Sequence, residues 1–310
     1  MNKKTMKPNN SMFNYIKEHD MIDSLINYSA YMHRLTGLSL FNCATLLVQK
    51  PGIGFATTET QWRVKFDRFI KPDARPLIVM KPFEPLVIYY EACDTYHPDN
   101  RSLPDWIINE STVTSSKRPL DIPYGVLIPI LEKHGIYYSE SDFGVNRGGE
   151  MCYMKEPITL QIPKRNKKNE VKFIECKTHY AMCINSKSDD LCKVRAIFHE
   201  IGHLLCGHLK EDEELKKNNS IRLSIAWRDR SMLTEEIVEY EAEKTCELIM
   251  NALGFEFDHE DYFDNYKING QEPDYNLGVV VAAADHFLSW LNESSEARKL
   301  VYDWNIANLL

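Results

Sequence analysis

Ser188-Asp189-Asp190-Leu191-Cys192-Lys193-Val194-Arg195-Ala196-Ile197-Phe198-His199-Glu200-Ile201-Gly202-His203-Leu204-Leu205-Cys206-Gly207-His208 is the stretch on which the reading of this chain turns. Ile197, Phe198, Ile201, Leu204 and Leu205 recur at helical spacing, and Ser188, Asp189 and Asp190 supply oxygens that cap a helix start. On such a helix His199 and His203 share one face, a turn apart, and can hold a single ion through imidazole nitrogens. Glu200, beside the first histidine, can reach a water at that ion without being a ligand. This is the H-E-x-x-H arrangement of zinc peptidases. The alternative, two surface histidines on an amphipathic helix, fits poorly with the apolar residues around them and the strand-like segments that precede them.

A catalytic zinc needs a third protein ligand and an open position. A metzincin would place Gly three residues and His six residues past His203, where this chain has Cys206 and Leu209, so that subfamily is excluded. His208 is expected at a solvent-facing helix end. The third ligand should then come from a second helix lying across the first, within Thr234–Met250. There Glu235-Glu236-Ile237-Val238-Glu239-Tyr240-Glu241-Ala242-Glu243-Lys244 puts Glu239 and Glu243 on one face, while Glu241 points elsewhere. Ala242 is small enough to let the two helices approach closely.

Outward from this centre, the spacing predicts an amphipathic helix over 11–35 stopped by Gly37, and a second from Ser39 to about Gln49, ended by Pro51-Gly52. Short β-type runs follow at Leu77–Met80 and Leu86–Tyr90. Residues 111–123 carry Ser, Thr and Pro in linker fashion, and a domain boundary is expected there. A helix at about 123–134 ends at Gly135, and four short strands are expected at Met151–Met154, Ile158–Ile162, Val171–Glu175 and Thr178–Ile184. Basic residues 164–169 read as a hairpin turn. From Ser188 onward the pattern is helical, at about 188–208, 234–253, 257–266, 274–292 and 294–303, with an acidic connection over 210–230.

The composition, 44% hydrophobic and 26% charged over 310 residues, is that of a globular chain long enough for two domains. No apolar run reaches membrane-helix length, and no hydrophobic segment follows the basic start, so neither a membrane partner nor a secretory signal is expected. Eight cysteines without a C-x-x-C pair read as free, mostly buried thiols in a reducing, cytoplasmic compartment. The net charge of −8 is uneven, because residues 1–100 carry twelve Lys and Arg against ten Asp and Glu. The acidic remainder disfavours nonspecific nucleic-acid binding, whereas the N-terminal part permits it.

The pair HEIGHLLCGH and EYEAEKTCELI resembles the ImmA/IrrE-type zinc peptidases and the peptidase domain of ArdC-type antirestriction proteins. That resemblance implies one Zn2+ per chain held by His199, His203 and Glu239, with Glu243 steadying a ligand histidine. Asn27-Tyr28-Ser29-Ala30-Tyr31, Gln49-Lys50-Pro51-Gly52, Thr60-Gln61-Trp62 and Lys71-Pro72-Asp73 look like a diverged ArdC N-terminal domain, a module associated with single-stranded DNA. The fold class expected is α+β: a small α/β domain over 1–115, then a zincin-like metallopeptidase domain over 120–310.

The mechanism expected is hydrolysis of an amide in a protein or peptide substrate, with Glu200 as general base and a further donor for the oxyanion from Tyr240, Tyr266 or His286. The resemblance implies a link to a mobile element through antirestriction or repressor cleavage. The alternative is a single-stranded-DNA-binding protein whose zinc domain is a scaffold. For it, Trp62, Phe66, Phe69, Tyr89 and Tyr90 would stack on bases while Arg63, Lys65, Arg68 and Lys71 contact phosphates; the competing reading makes these aromatics core and the charges merely solvated.

Overall fold

In the computed structural model, which describes residues 11–80, 86–108, 124–144, 147–165, 170–209, 230, 232–255, 263, 266, 267, 270–294 and 297, the periodicity over 11–35 resolves into two helices. These are α1 (Ser11–Glu18) and α2 (Ile22–Thr36). Asp20 takes a left-handed backbone (φ 54°), which a continuous helix cannot contain. Gly37 does end α2 in a left-handed cap, its amide donating to His33 O.

The chain divides into two compact units. One is Met1–Arg118 with Asn251–Glu256 and Lys299–Leu310; the other is Pro119–Met250 with Phe257–Arg298. In the first unit α2 is followed by α3 (Leu40–Gln49), capped by the Ser39 side chain, which accepts from the Asn42 amide. Next come β1 (Ala56–Thr57), α4 (Glu59–Phe66), β2 (Phe69–Ile70), β3 (Leu77–Val79), β4 (Val87–Glu91), β5 (Thr95–Tyr96) and α5 (Asp105–Ile108). Strands β1-β4-β3 form one antiparallel sheet and β2-β5 a second. Trp62 is fully buried at the centre, edge-on to Phe55, with Phe66 and Trp106 completing the cluster.

The second unit carries α6 (Ile128–Lys133), β6 (Ile136–Ser141), β7 (Gly149–Arg165), β8 (Val171–Asn185), α7 (Asp190–Leu205), α8 (Glu235–Leu253) and α9 (Leu277–Leu291). Its sheet runs β6-β8-β7, with β6 parallel and β7 antiparallel to β8. The four short strands expected here are two long ones. The proline-bearing stretch between Tyr153 and Ile158 is absorbed as an irregularity in β7, so pairing with β8 resumes beyond it. β6 has no counterpart in the expected pattern. Helix α7 starts at Asp189, whose carboxylate accepts from the Cys192 amide at 2.8 Å. It buries Val194, Ile197, Phe198, Ile201, Leu204 and Leu205, and Phe198 packs edge-on against Phe287 of α9.

Helices over mixed and antiparallel sheets make this an α+β chain. The segments 111–123, 166–169, 210–229 and 298–303, and most of 257–266, lie outside the described residues. Among the described residues no helix is long and apolar enough to cross a membrane.

Candidate metal centre

The site begins with a crossing of two helices. A Cβ placed on Gly202 of α7 would stand 2.8 Å from both Cα and O of Ala242 on α8, so neither helix could come this close with larger residues. That approach aims the one-turn pair His199 and His203 at Glu239. The two Nε2 atoms are 3.1 Å apart. Glu239 Oε2 lies 3.4 Å from His199 Nε2, and its Oε1 lies 3.6 Å from His203 Nε2. Donors about 3.3 Å apart are what a tetrahedral ion with ~2.0–2.1 Å bonds requires. These three residues form a group able to hold a metal ion.

Glu243, one turn along α8 from Glu239, is 2% exposed and stands behind His199, with Oε2 2.8 Å from Nδ1. Arg195 Nη2 donates to its other oxygen at 2.5 Å. A carboxylate only accepts, so His199 carries hydrogen on Nδ1 and directs Nε2 to the cluster. Burial alone would lower the pKa of this imidazole, but Glu239 and Glu243 push it up to about 10. Burial likewise opposes ionisation of Glu239 and Glu243, yet the histidines, and Arg195 for Glu243, hold both carboxyls below the usual range.

No family model, curated protein or solved structure matches the chain.

Glu200 differs from these paired acids. It is 7% exposed, and burial raises its proton affinity against the pull of His203 and His199. A carboxyl raised in this way, next in sequence to His199, is a candidate for proton transfer. Beside it runs the start of β7, where a Cβ on Gly149 would meet Ile184 Cδ1 at 2.7 Å and Glu200 Cγ at 3.7 Å. Asn185 ties the preceding loop down through Gly144 O and Arg147 O, at 2.7 and 2.8 Å. Sequence reasoning missed this arrangement, although the Gly148-Gly149 pair at a strand start marks a close approach.

His208 corrects an expectation. Its side chain is 1% exposed rather than solvent-facing, because Gly207 (φ 76°) reverses the chain and the His208 amide donates to His203 O at 2.9 Å. His208 Nδ1 lies 3.2 Å from His203 Nδ1, and its Nε2 lies 3.0 Å from Glu241 Oε2.

Two of the three oxyanion candidates are engaged elsewhere. Tyr240 is 1% exposed between Phe263 and Tyr275, its hydroxyl bonded to Glu272. His286 packs on Trp290, which stacks on His134. Tyr266 is half-buried in a turn, its amide donating to Phe263 O.

In the first unit Trp62 cannot offer a face to a base. It is core, and its Nε1 donates to Tyr90 O at 2.9 Å. Arg68 is spent on Thr95 Oγ1, Thr95 O and Arg101 O, at 2.8, 3.0 and 3.0 Å. Arg63, Lys65 and Lys71 are exposed, though Lys71 Nζ donates to Cys93 O at 2.7 Å.

Proposed function

We propose that the chain is a zinc metallopeptidase that hydrolyses a peptide bond in a protein substrate. The observation that carries this reading is the convergence of His199, His203 and Glu239 at 3.1–3.6 Å with the buried carboxyl of Glu200 on the same helix. Two imidazole nitrogens and one carboxylate suit zinc, whereas calcium or magnesium draws mainly on oxygen donors. Bound there, zinc supplies a Lewis acid that polarises a carbonyl and brings the pKa of water toward neutrality. Glu200 takes the proton of the attacking water and passes it to the leaving amine. A zincin-like fold fits an H-E-x-x-H helix packed on a small sheet.

The resemblance to ImmA/IrrE-type and ArdC-type proteins supports a role on a mobile element, as an antirestriction factor or a repressor-cleaving peptidase; gene neighbourhood discriminates the two. Eight cysteines, none of them in a disulfide, accord with a cytoplasmic setting. The DNA-binding alternative is weakened by the structural use of Trp62 and Arg68.

Elemental analysis should find about one zinc per chain, as three-ligand sites hold. His199→Ala or His203→Ala should remove it. Glu200→Gln should keep the metal and lose ~10²–10⁴-fold in hydrolysis, and it then serves to capture substrates. Undiminished proteolysis by Glu200→Gln would remove Glu200 from the mechanism, and full zinc in both histidine variants would overturn the ligand assignment.

A further inference from the structure

The two ligand histidines are backed by different chemistry. Behind His199 stands a carboxylate; behind His203 stands the ring of His208, itself held by Glu241. Glu241 is 1% exposed. One of its oxygens accepts from the Asn276 amide at 2.9 Å, and the other takes both His208 Nε2 and Arg230 Nη2. Because a carboxylate cannot donate, the hydrogen of a neutral His208 sits on Nε2, which leaves its Nδ1 a lone pair only. His203 Nδ1, 3.2 Å away, must then be the donor. His203 Nε2 consequently presents its lone pair to His199 and Glu239.

We infer that His208 is a positioning residue, which accepts the Nδ1 hydrogen of His203 and fixes that ring in its metal-binding tautomer and orientation. This rests on the metal reading given above. Cys206, His208 and Glu241 also lie close enough to suggest a second ion. That group already contains a cation, however, in the Arg230 guanidinium on Glu241, and Cys206 Sγ is 3.4 Å from Thr245 Oγ1 in a fully buried setting. Glu241 thus serves the metal centre at one remove. It aligns His208, which aligns His203, just as Arg195 aligns Glu243 behind His199.

The test uses two variants of the full chain and two readouts. His208→Phe fills the space and removes the acceptor; His208→Gln keeps an amide that can accept from His203 and donate to Glu241. Zinc affinity, measured by competition with a chromogenic chelator, should fall about 10–100-fold in His208→Phe, as when an outer partner of a ligand is lost. It should recover to within a few-fold of the parent in His208→Gln. Independently, a long-range ¹H–¹⁵N spectrum of the histidine rings in the metal-free parent should show His203 as the Nδ1–H tautomer. Parent-like zinc binding by His208→Phe, equal losses in two folded variants, or an Nε2–H tautomer at His203 each overturns the inference. A parent chain that takes up no zinc sinks the metal reading instead, and the ring spectrum still decides the tautomer.

Discussion

Residue by residue, the centre turns on the proton of the His199 ring. His199 lies between Glu239 and Glu243, and these carboxylates, against the effect of burial, push its pKa up to about 10. Zinc must displace that proton, because only the neutral ring binds metal. Apparent zinc affinity should therefore rise about tenfold per pH unit between roughly pH 6.5 and 9, one proton being released per ion. The metal-free chain should show the opposite sign. A histidine with its folded pKa raised adds stability that is complete below its unfolded pKa and is lost as pH rises through about 10. Zinc titrations and melting curves across this range check both; a pH-independent zinc affinity would sink the assignment of His199. The carboxylates also separate. Glu239→Ala should abolish tight binding and Glu243→Ala should cost about 10–100-fold. Glu241, which spacing alone sets aside as facing away, should also matter through His208. Equal zinc affinities for the three variants would contradict the geometry.

At the scale of elements, what positions these side chains is the α7–α8 crossing. Adding one methyl at Gly202 drives it into Ala242 backbone rather than into a side chain that can swing away. Gly202→Ala should lower stability by about 1–3 kcal/mol, the usual cost of overpacking, and weaken zinc binding as Glu239 is pushed off. Thermal denaturation together with a zinc titration checks this, and a variant matching the parent in both would mean the helices are not held this closely. The crossing is half legible in the sequence. The i, i+4 pairs on each helix follow from periodicity alone, and Ala242 signals a close approach. What sequence periodicity does not carry is non-local. Nothing local announces that Ile136–Ser141 pairs in parallel with β8, or that four apparent strands are two. Nothing local buries His208 either, since its environment is made by Glu241 and His203 from outside its own segment. Gly207 is the one local sign that the chain turns back there.

For the whole molecule the uneven charge sets the remaining question, whether the N-terminal unit meets nucleic acid. Its aromatic centre is core, with Trp62 enclosed by Phe55 and Phe66, so the stacking surface that single strands require is not supplied there. A cleft of about 330 Å³ nearby is lined by Lys65, Arg68 and Arg101, but also by Asp67, which offsets part of their charge. Any DNA binding therefore rests on exposed cations such as Arg63 and Lys65. Such contacts exchange with counterions, so affinity for an oligothymidine should be no tighter than micromolar at low salt and should fall steeply as salt rises. Arg63→Glu with Lys65→Glu should abolish it and leave zinc content unchanged. Arg68→Glu should instead destabilise the fold, because that guanidinium pins Thr95 and Arg101. Fluorescence anisotropy on the full chain at two salt concentrations, beside melting curves for each variant, separates these outcomes. Tight binding that resists salt, or survives the double substitution, would mean that nucleic acid is recognised by a different surface. Complete absence of binding would favour a unit that recognises protein, and with it the repressor-cleaving form of the peptidase.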